Sequence, residues 1–176
     1  MEFVDIAGLE RGASKNEGLG NQFLGNIRAT DAIIHVLRCF AGGDVTHVEG
    51  SVDPLRDAET VETELMLADL ESLEKRVDAA QKKAKGNDAE ARALLAVMEP
   101  ALAALQAGRP ARAIMPELSA ENLPLFKQLQ LITGKPVLYV ANVEEESAAS
   151  GNALSAQIMA KAAQEGAEAV MSGAAI

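Results

Sequence analysis

Short apolar runs alternate with amphipathic stretches in the first and last parts of this chain. The apolar runs predict strands, and they lie at residues 2–6, 32–38, 136–141 and 167–174. Amphipathic patterns predict helices at residues 21–29 and 152–165. We interpret the β-branched runs 32–38 and 136–141 as buried strands. Strands that alternate with helices are typical of a parallel α/β sheet, because parallel neighbours need a long crossover connection.

The middle of the chain has a different pattern. From Asp57 to Lys85 there is no glycine or proline, and charged residues are interleaved with apolar ones at helical spacing. Gly86-Asn87 interrupts this stretch, and a second helical pattern runs from Asp88 to Ala107. Two long helices joined by a two-residue break predict an antiparallel helical hairpin inserted into the sheet domain.

The chain returns to the first pattern after the hairpin. Glycine and proline predict a linker at residues 108–118, and Ser119 is a candidate N-cap for a helix through Ile132. We therefore predict three segments. They are a first part of the sheet domain at 1–56, the inserted hairpin at 57–118, and a second part of the sheet domain at 119–176.

Composition and charge narrow the class of protein. Of the 176 residues, 48% are hydrophobic, which permits a packed core, and a single cysteine, Cys39, excludes an internal disulfide. The formal net charge of −10 disfavours non-specific nucleic-acid binding, because phosphates repel an acidic surface. No apolar run reaches the roughly 18 residues of a membrane span. The first residues have neither the basic leader nor the hydrophobic core of a signal peptide. We expect a soluble cytoplasmic protein that binds neither DNA nor a membrane.

The first candidate motif follows the first predicted strand. Asp5 and Gly8 form a D-x-x-G sequence. In P-loop NTPases this aspartate holds the Mg²⁺ shell, and the glycine amide approaches the terminal phosphate because no side chain intervenes. A surface turn is the alternative, and it is the commoner origin of such a sequence taken alone.

The second candidate motif follows the predicted strand at 136–141. Asn142-Val143-Glu144-Glu145 stands where GTP-binding P-loop proteins carry N-K-x-D. The acidic residue of that motif pairs with the guanine edge, and its lysine packs over the base. Val143 replaces that lysine here, and Glu145 replaces that aspartate. A solvated acidic loop is the alternative.

The third candidate motif, Ser172-Gly173-Ala174, follows the last predicted strand. It matches a loosely defined motif whose backbone amides contact the base, and it is nearly uninformative alone. All three motifs, however, fall at predicted strand ends in the order that a nucleotide site requires. Ligands of open α/β sheets bind at the carboxyl ends of strands, so the placement favours a nucleotide site over coincidence.

Longer stretches of the sequence resemble one family. The runs FVDIAGLERGASKNEGLGNQFLGNIRATDAIIHVLRCF, THVEGSVDPLRD, ETELMLADLE and KPVLYVANVEEE are similar to the YchF family of Obg-like P-loop NTPases. The resemblance implies an incomplete Ras-like parallel α/β sheet with an inserted antiparallel coiled-coil hairpin. It also implies ATP hydrolysis, often in preference to GTP, with Mg²⁺ as cofactor and the ribosome as partner.

The resemblance also assigns roles to individual positions. The implied nucleotide-binding residues are Gly8, Asn142, Val143, Glu145, Ser172, Gly173 and Ala174, and Asp5 would hold Mg²⁺ through water. Leu9 stands where many relatives keep a glutamine that orients the attacking water, which leucine cannot do. His47, in the Gly-rich loop 41–54, is the candidate catalytic residue that replaces it, with an ordinary surface histidine as the alternative. His35 lies inside a predicted strand, and we interpret it as structural.

One part of a nucleotide site has no counterpart in this sequence. No G-x-x-x-x-G-K-[ST] pattern occurs, so the phosphate-binding amides, the lysine and the Mg²⁺-binding hydroxyl of a P-loop are lacking. We expect this segment alone to bind nucleotide weakly or not at all and not to hydrolyse ATP. In Ras-like sheets the P-loop strand lies between the strands predicted at 2–6 and 32–38, so we also expect unpaired strand edges.

Two functions of different classes stay open. The first is a ribosome-associated ATPase, with GTP as the alternative substrate, of which this chain forms a part. The second is a non-enzymatic module that contacts the ribosome or another protein through the hairpin. A basic cluster near the hairpin tip would carry the second function, and it comprises Lys75, Arg76, Lys82, Lys83 and Lys85. A solvated helix face is the alternative interpretation of that cluster.

Overall fold

A computed structural model describes residues 19–41 and 51–174 of the chain. Within these ranges the helices are α1 (Leu19–Arg28), α2 (Pro54–Lys85), α3 (Ala89–Gln106), α4 (Asn122–Gln128) and α5 (Ala153–Glu165). The strands are β1 (Ile33–Arg38), β2 (Val137–Glu144) and β3 (Glu168–Ala174). Three short 3₁₀ turns lie at Ala111–Glu117, Ile132–Gly134 and Glu145–Ser147. The predicted strand at 2–6 and most of the predicted loop at 41–54 lie outside the described residues.

The described chain divides into two compact units. Residues 19–31 and 61–135 form a helical unit, and residues 32–41, 51–60 and 136–174 form a sheet unit. Helix α2 contributes its first residues to the sheet unit and the remainder to the helical unit. The division into three segments at 1–56, 57–118 and 119–176 stays a prediction.

Three parallel strands in the order β1-β2-β3 make up the sheet of the sheet unit. Ile33 of β1 pairs with Val137 of β2, and Leu138 of β2 pairs with Glu168 of β3. Helix α5 connects β2 to β3, as a parallel pair requires. The predicted fold class, a parallel α/β sheet with inserted helices, is therefore confirmed.

One face of this sheet carries the core of the sheet unit. Side chains alternate between the two faces of a strand, and along β2 those of Tyr139, Ala141 and Val143 are buried. They pack with residues of β1, α5 and the first turns of α2. The buried members of this core are Leu37, Cys39, Ala58, Tyr139, Ala141, Val143, Ile158 and Ala162.

The opposite face of the sheet is open where the sequence predicted burial. Ile34 and Val36 of β1 expose 47% and 60% of their surface, and Val170 of β3 exposes 46%. The prediction that 32–38 is a buried strand is wrong for Ile34 and Val36. The helical residues of the sheet unit, from α5 and the start of α2, pack on the other face.

Helices α2 and α3 of the helical unit form the predicted hairpin. Asn87 adopts a φ of 69° between them, a conformation that asparagine tolerates better than most residues. Asp88 then caps α3 by accepting a hydrogen bond from the amide of Ala91 at 3.1 Å. The two helices share one apolar core, whose buried members from α2 and α3 are Leu73, Val77, Ala80, Val97, Met98, Ala101, Ala104 and Leu105. The hairpin is confirmed, with α2 starting at Pro54 instead of Asp57.

Helix α4 is shorter than the sequence predicted. It ends at Gln128, and Gln130 has a φ of 50° that breaks the helical path. The carboxylate of Asp69 on α2 accepts hydrogen bonds from the backbone amides of Ile132 at 2.9 Å and Thr133 at 2.7 Å. These amides are thereby held outside a helix, so the prediction of a helix through Ile132 is wrong.

Asp69 is also the centre of a wider polar network in the helical unit. It is only 1% exposed, and its carboxylate accepts a third hydrogen bond from the hydroxyl of Thr133 at 2.7 Å. That hydroxyl accepts the amide of Ala111 at 3.0 Å, and Arg112 donates to both the Thr133 carbonyl and the Glu62 carboxylate. Burial raises the pKa of Asp69 even though the hydrogen bonds it accepts oppose that shift.

Candidate functional site

Two of the three predicted motifs lie side by side at the carboxyl ends of β2 and β3. The paired positions are Asn142 with Ser172, Val143 with Gly173, and Glu144 with Ala174. Both motifs belong largely to the strands, since β2 continues to Glu144 and β3 to Ala174. The prediction that they follow the strands is therefore wrong, because β2 continues past its apolar run at 136–141 to Glu144 and because residues 172–174 are the last residues of β3. Adjacent strand ends are nevertheless where ligands of open α/β sheets bind.

Val143 is fully buried, which limits what it can contribute to a site. Its side chain packs in the sheet core with Ala141 and Ile158, so it does not lie over a base in the way a lysine stem does. Asn142 is half-buried, and side-chain alternation places it on the opposite face from Val143. Its carbonyl accepts the amide of Cys39 at 2.7 Å, which continues the pairing of β1 with β2.

Glu145 is exposed and begins the 3₁₀ turn that follows β2. Its carbonyl accepts the amide of Ala148 at 3.1 Å. Gly173 of β3 lies close to this turn, because a Cβ atom at position 173 would stand 2.9 Å from the Cβ of Ala148. Glycine is needed there for β3 to approach the turn, so the second and third motifs form one packed edge.

The side chain of Glu144, at the end of β2, binds this turn through hydrogen bonds. Its carboxylate accepts the hydroxyl of Ser147 at 2.6 Å and the side-chain amide of Asn152 at 3.3 Å to each oxygen. Hydrogen bonds to a carboxylate favour its charged form. They lower the pKa of Glu144, and the bond from Ser147 is the main cause.

Asn152 links the same turn to α5 and to β1. Its Oδ1 accepts the amide of Ser155 at 2.9 Å, while the Ser155 hydroxyl accepts the amide of Asn152 at 2.8 Å, which is a reciprocal helix cap. Its Nδ2 also donates to the carbonyl of Cys39 at 2.7 Å. Neither Glu144 nor Asn152 is among the site residues predicted from the sequence. The N-A-L-S pattern signals the cap, but nothing in it signals the other bonds.

Cys39 in the sheet core and the half-buried His35 have shifted pKa values. The His35 ring lies 6.0 Å from the ring of Tyr139, and burial lowers the pKa of His35 to about 4. Burial raises the pKa of the Cys39 thiol to about 11. At neutral pH the imidazole is uncharged and the thiol is protonated, so both suit the interior. This agrees with the structural role predicted for His35.

Several predicted site residues lie outside the described residues. They are Asp5, Gly8, Leu9 and His47. In the ranges 19–41 and 51–174, no group of three histidine, cysteine, aspartate or glutamate side chains is placed to hold a metal ion. Of the carboxylates at the sheet edge, Glu144 is engaged by Ser147 and Asn152. The Mg²⁺ site therefore stays a prediction that rests on Asp5.

One member of the predicted basic cluster on the hairpin, Arg76, is turned away from the exposed lysines. Lys75 and Lys82 lie 2.8 Å from Glu71 and 2.7 Å from Asp78, the carboxylates one helical turn before them. Arg76 is half-buried instead, and it donates to the carbonyl of Leu129 at 2.7 Å. It lines a cavity of about 270 Å³ together with Arg28, Asp69, Ser72 and residues 128–131. The assignment of Arg76 to an exposed cluster is wrong, because helical periodicity turns it towards α4.

The two remaining lysines of that cluster, Lys83 and Lys85, are exposed at the end of α2. No helix among the described residues is long and apolar enough to cross a membrane.

Comparison with known proteins finds relatives that carry the same name. The chain is 48% identical over 173 residues to the ribosome-binding ATPase YchF of Bacillus subtilis, covering 97% of this chain and 47% of that protein. It is 53% identical over 146 residues to the protein of the same name in Haemophilus influenzae, covering 83% of this chain and 40% of the relative. No protein-family model matches the chain.

A solved structure agrees with these relatives. The Schizosaccharomyces pombe YchF GTPase superposes with a TM-score of 0.75 at 31% sequence identity, covering 95% of this chain and 46% of that one. This chain therefore spans about half the length of the relatives it matches. The long matches at 48% and 53% identity, together with the shared fold, show that the chain belongs to the YchF family.

Proposed function

We propose that the protein containing this chain is a ribosome-associated nucleoside triphosphatase that prefers ATP to GTP, and that this chain supplies the base-contacting part of its site. The observation that carries the proposal is the pairing of Asn142-Val143-Glu144 with Ser172-Gly173-Ala174 at one sheet edge. The bacterial relatives are named ribosome-binding ATPases, which supports it. The S. pombe relative is described as a GTPase, so base preference is the part that most needs a test.

The chemistry of the altered motif favours adenine. A guanine-reading aspartate pairs with the ring N1–H and the exocyclic amine of guanine, and adenine presents neither of those donors there. Glu145 is one methylene longer than that aspartate, which displaces the carboxylate. Val143 lies in the sheet core, so its side chain supplies no cover over the ring. Both changes remove interactions that guanine uses.

The reaction itself depends on residues outside the described ranges. Mg²⁺ neutralises charge on the phosphates when it is bound, and Asp5 would hold its water shell. His47 would orient the attacking water, because Leu9 has no polar group with which to do so. We expect the protein to work in the cytoplasm, where ATP and ribosomes are available. This chain would bind nucleotide weakly by itself, because it contains no P-loop sequence.

A competition titration with the full-length protein tests the proposal. A fluorescent ATP analogue is bound with Mg²⁺ and displaced by ATP or by GTP. We expect ATP to displace it at a concentration about tenfold lower than GTP, which corresponds to about 1.4 kcal/mol. Comparable affinities would overturn the preference for ATP. Glu145→Asp is the matched variant, and it should narrow the difference by strengthening GTP binding.

Turnover gives a separate test of His47. His47→Ala in the full-length protein should slow ATP hydrolysis with little change in ATP affinity, because a group that orients water acts on the chemical step. Unchanged turnover would remove His47 from the site.

A second candidate function is a binding module in the hairpin, which the exposed Lys83 and Lys85 favour. Their position at the end of α2 is open to a phosphate backbone such as ribosomal RNA. Changing Lys82, Lys83 and Lys85 to glutamate should weaken ribosome binding and reduce its dependence on salt. Lys75→Glu is the control, since Lys75 lies farther from the tip. Unchanged binding would leave these lysines as a solvated helix face.

A further inference from the structure

We infer that Asn152 is a positioning residue for nucleobase recognition, whose side-chain amide fixes the Glu145–Ser147 turn to the end of β1. This inference rests on the proposed function, because it adds a residue to the same site. Asn152 itself is not placed against the base. It acts through Glu144 and through the backbone of Cys39.

The side-chain amide of Asn152 uses its carbonyl and both of its N–H groups. Its Oδ1 accepts the Ser155 amide at 2.9 Å, and its Nδ2 donates to the Cys39 carbonyl at 2.7 Å and to the Glu144 carboxylate at 3.3 Å. The network fixes the orientation of this amide. Rotating it by half a turn would set its oxygen against the Cys39 carbonyl and the Glu144 carboxylate, and its NH₂ group against the N–H of Ser155.

Capping α5 does not by itself require asparagine. An N-cap needs only a side-chain acceptor, which serine, threonine and aspartate also provide. The bonds to Cys39 and Glu144 need N–H donors in addition, and asparagine is the good capping residue that carries both functions. The residue type at position 152 therefore fits a link between β1, the turn and α5 better than it fits a cap alone.

The link reaches the candidate base site in two steps. Glu144 is the last residue of β2, and its carboxylate is shared between Ser147 in the 3₁₀ turn and Asn152 at the N-cap of α5. Glu145 lies between the anchored residues Glu144 and Ser147, so its backbone is fixed at both sides. Gly173 then packs β3 against the same turn. Loss of the Nδ2 bonds would break the connection of the Glu144 carboxylate to the N-cap of α5 and, through it, to the Cys39 carbonyl.

Asn152→Asp separates the link from the cap. An aspartate keeps the acceptor for the Ser155 amide, but it sets a carboxylate oxygen against the Glu144 carboxylate and the Cys39 carbonyl. In the full-length protein we expect ATP affinity to fall about tenfold and the ratio of ATP to GTP affinity to shrink, because misplaced contacts are weakened. Both affinities are measured by displacement of the fluorescent ATP analogue at a temperature where thermal melts show the variant folded.

Ser155→Ala is the matched control. It removes the hydroxyl that accepts the Asn152 amide, yet it leaves the Nδ2 bonds in place. We expect a lower melting temperature with an unchanged ATP-to-GTP ratio. The same ratio in Asn152→Asp and the wild type would overturn the inference, because aspartate caps a helix as well as asparagine does.

A double variant tests the contact itself. Adding Glu144→Gln to Asn152→Asp restores a donor and an acceptor in the reverse sense, so part of the lost ATP affinity should return. No recovery would mean that the Glu144 bond does not carry the effect.

If the wild type binds ATP and GTP equally, the proposed preference fails. The inference is then decided separately by whether Asn152→Asp weakens both nucleotides and Ser155→Ala neither. A wild type that binds neither nucleotide would overturn both.

Discussion

Asp69 in the helical unit and Glu144 in the sheet unit are two carboxylates with similar partners and opposite behaviour. Each accepts three hydrogen bonds, from backbone amides and a hydroxyl at Asp69, and from a hydroxyl and a side-chain amide at Glu144. The pKa of Asp69 is nevertheless raised, mainly by burial, while that of Glu144 is lowered, mainly by the Ser147 bond. Exposure to water decides which effect is larger.

The difference separates a residue that builds the fold from one that shapes a surface. Asp69 is enclosed, and it directs the chain after α4 by holding two backbone amides. Glu144 lies at the end of β2, where its hydrogen bonds hold the Glu145–Ser147 turn of the proposed base site. We therefore expect changes at Asp69 to appear in stability and changes around Glu144 to appear in binding.

The largest expected effect is that of Asp69→Ala. It leaves two backbone amides and a hydroxyl without their acceptor in the core, and we expect a loss of about 3–5 kcal/mol in unfolding free energy. Chemical denaturation of the protein measures it. Asp69→Asn, which keeps one acceptor oxygen, should lose less. A loss below about 1 kcal/mol would contradict the role given to Asp69.

The next effect compares the hairpin core with the open sheet face. Leu73 is fully buried between α2 and α3, so Leu73→Ala should cost about 2–5 kcal/mol. Val36→Ala, at a side chain that is 60% exposed, should cost about 0.5 kcal/mol or less. Equal losses of unfolding free energy in the two variants would mean that the sheet face carrying Val36 is covered in the protein.

A smaller effect is expected at the contact between β3 and the turn. Gly173→Ala brings a Cβ to 2.9 Å from the Cβ of Ala148, which should cost about 1–3 kcal/mol and weaken ATP binding. Ala148→Gly in the same protein should relieve the clash and recover most of both losses. Gly25→Ala is the control, because a Cβ there meets nothing within 4 Å and alanine favours the α1 helix. Failure of Ala148→Gly to rescue would place the strain elsewhere.

The smallest effect is the pH dependence, and its sign differs between the two carboxylates. The pKa of Glu144 is lowered from 4.5, so its stabilising effect is complete above that value and is lost as pH falls through the lower folded pKa. The pKa of Asp69 is raised from 3.8, so stability linked to its protonated form is lost as pH rises through the higher folded pKa.

Denaturation of the matched amides between about pH 3 and 7 checks this sign. Relative to the wild type, Glu144→Gln should lose most stability at neutral pH and lose less as pH falls. The difference in unfolding free energy between Asp69→Asn and the wild type should change in favour of the variant as pH rises. Parallel profiles for the two variants would contradict the contrast between the buried and the exposed carboxylate.

The sequence predicted best where local pattern decides the structure. The hairpin followed from the uninterrupted stretch 57–85 and the Gly86-Asn87 break, and three strands followed from their apolar runs. The helix predicted through Ile132 failed because Asp69, distant in sequence, takes the amides that a helix would use. Local propensity carries no information about such a partner.

The candidate site divides in the same way. The predicted strand order indicated one edge of the sheet for both motifs, and the register that pairs Asn142 with Ser172 there was not predicted. The burial of Val143 and the contact of Arg76 with Leu129 depend on packing, which neither the motif nor the charge cluster indicates. The link through Asn152 joins residues 113 positions apart, beyond the reach of any local pattern.

The open face of β1 has a consequence for the handling of this segment. Ile34 and Val36 present branched apolar side chains to water on a strand whose outer edge pairs with no described residue. Such strands invite pairing between molecules, and a single polar residue on the exposed face is often enough to discourage it. Val36→Lys would place a charge there without entering the core, which belongs to the other face. Concentrated samples of that variant should scatter less light on storage than the wild-type segment.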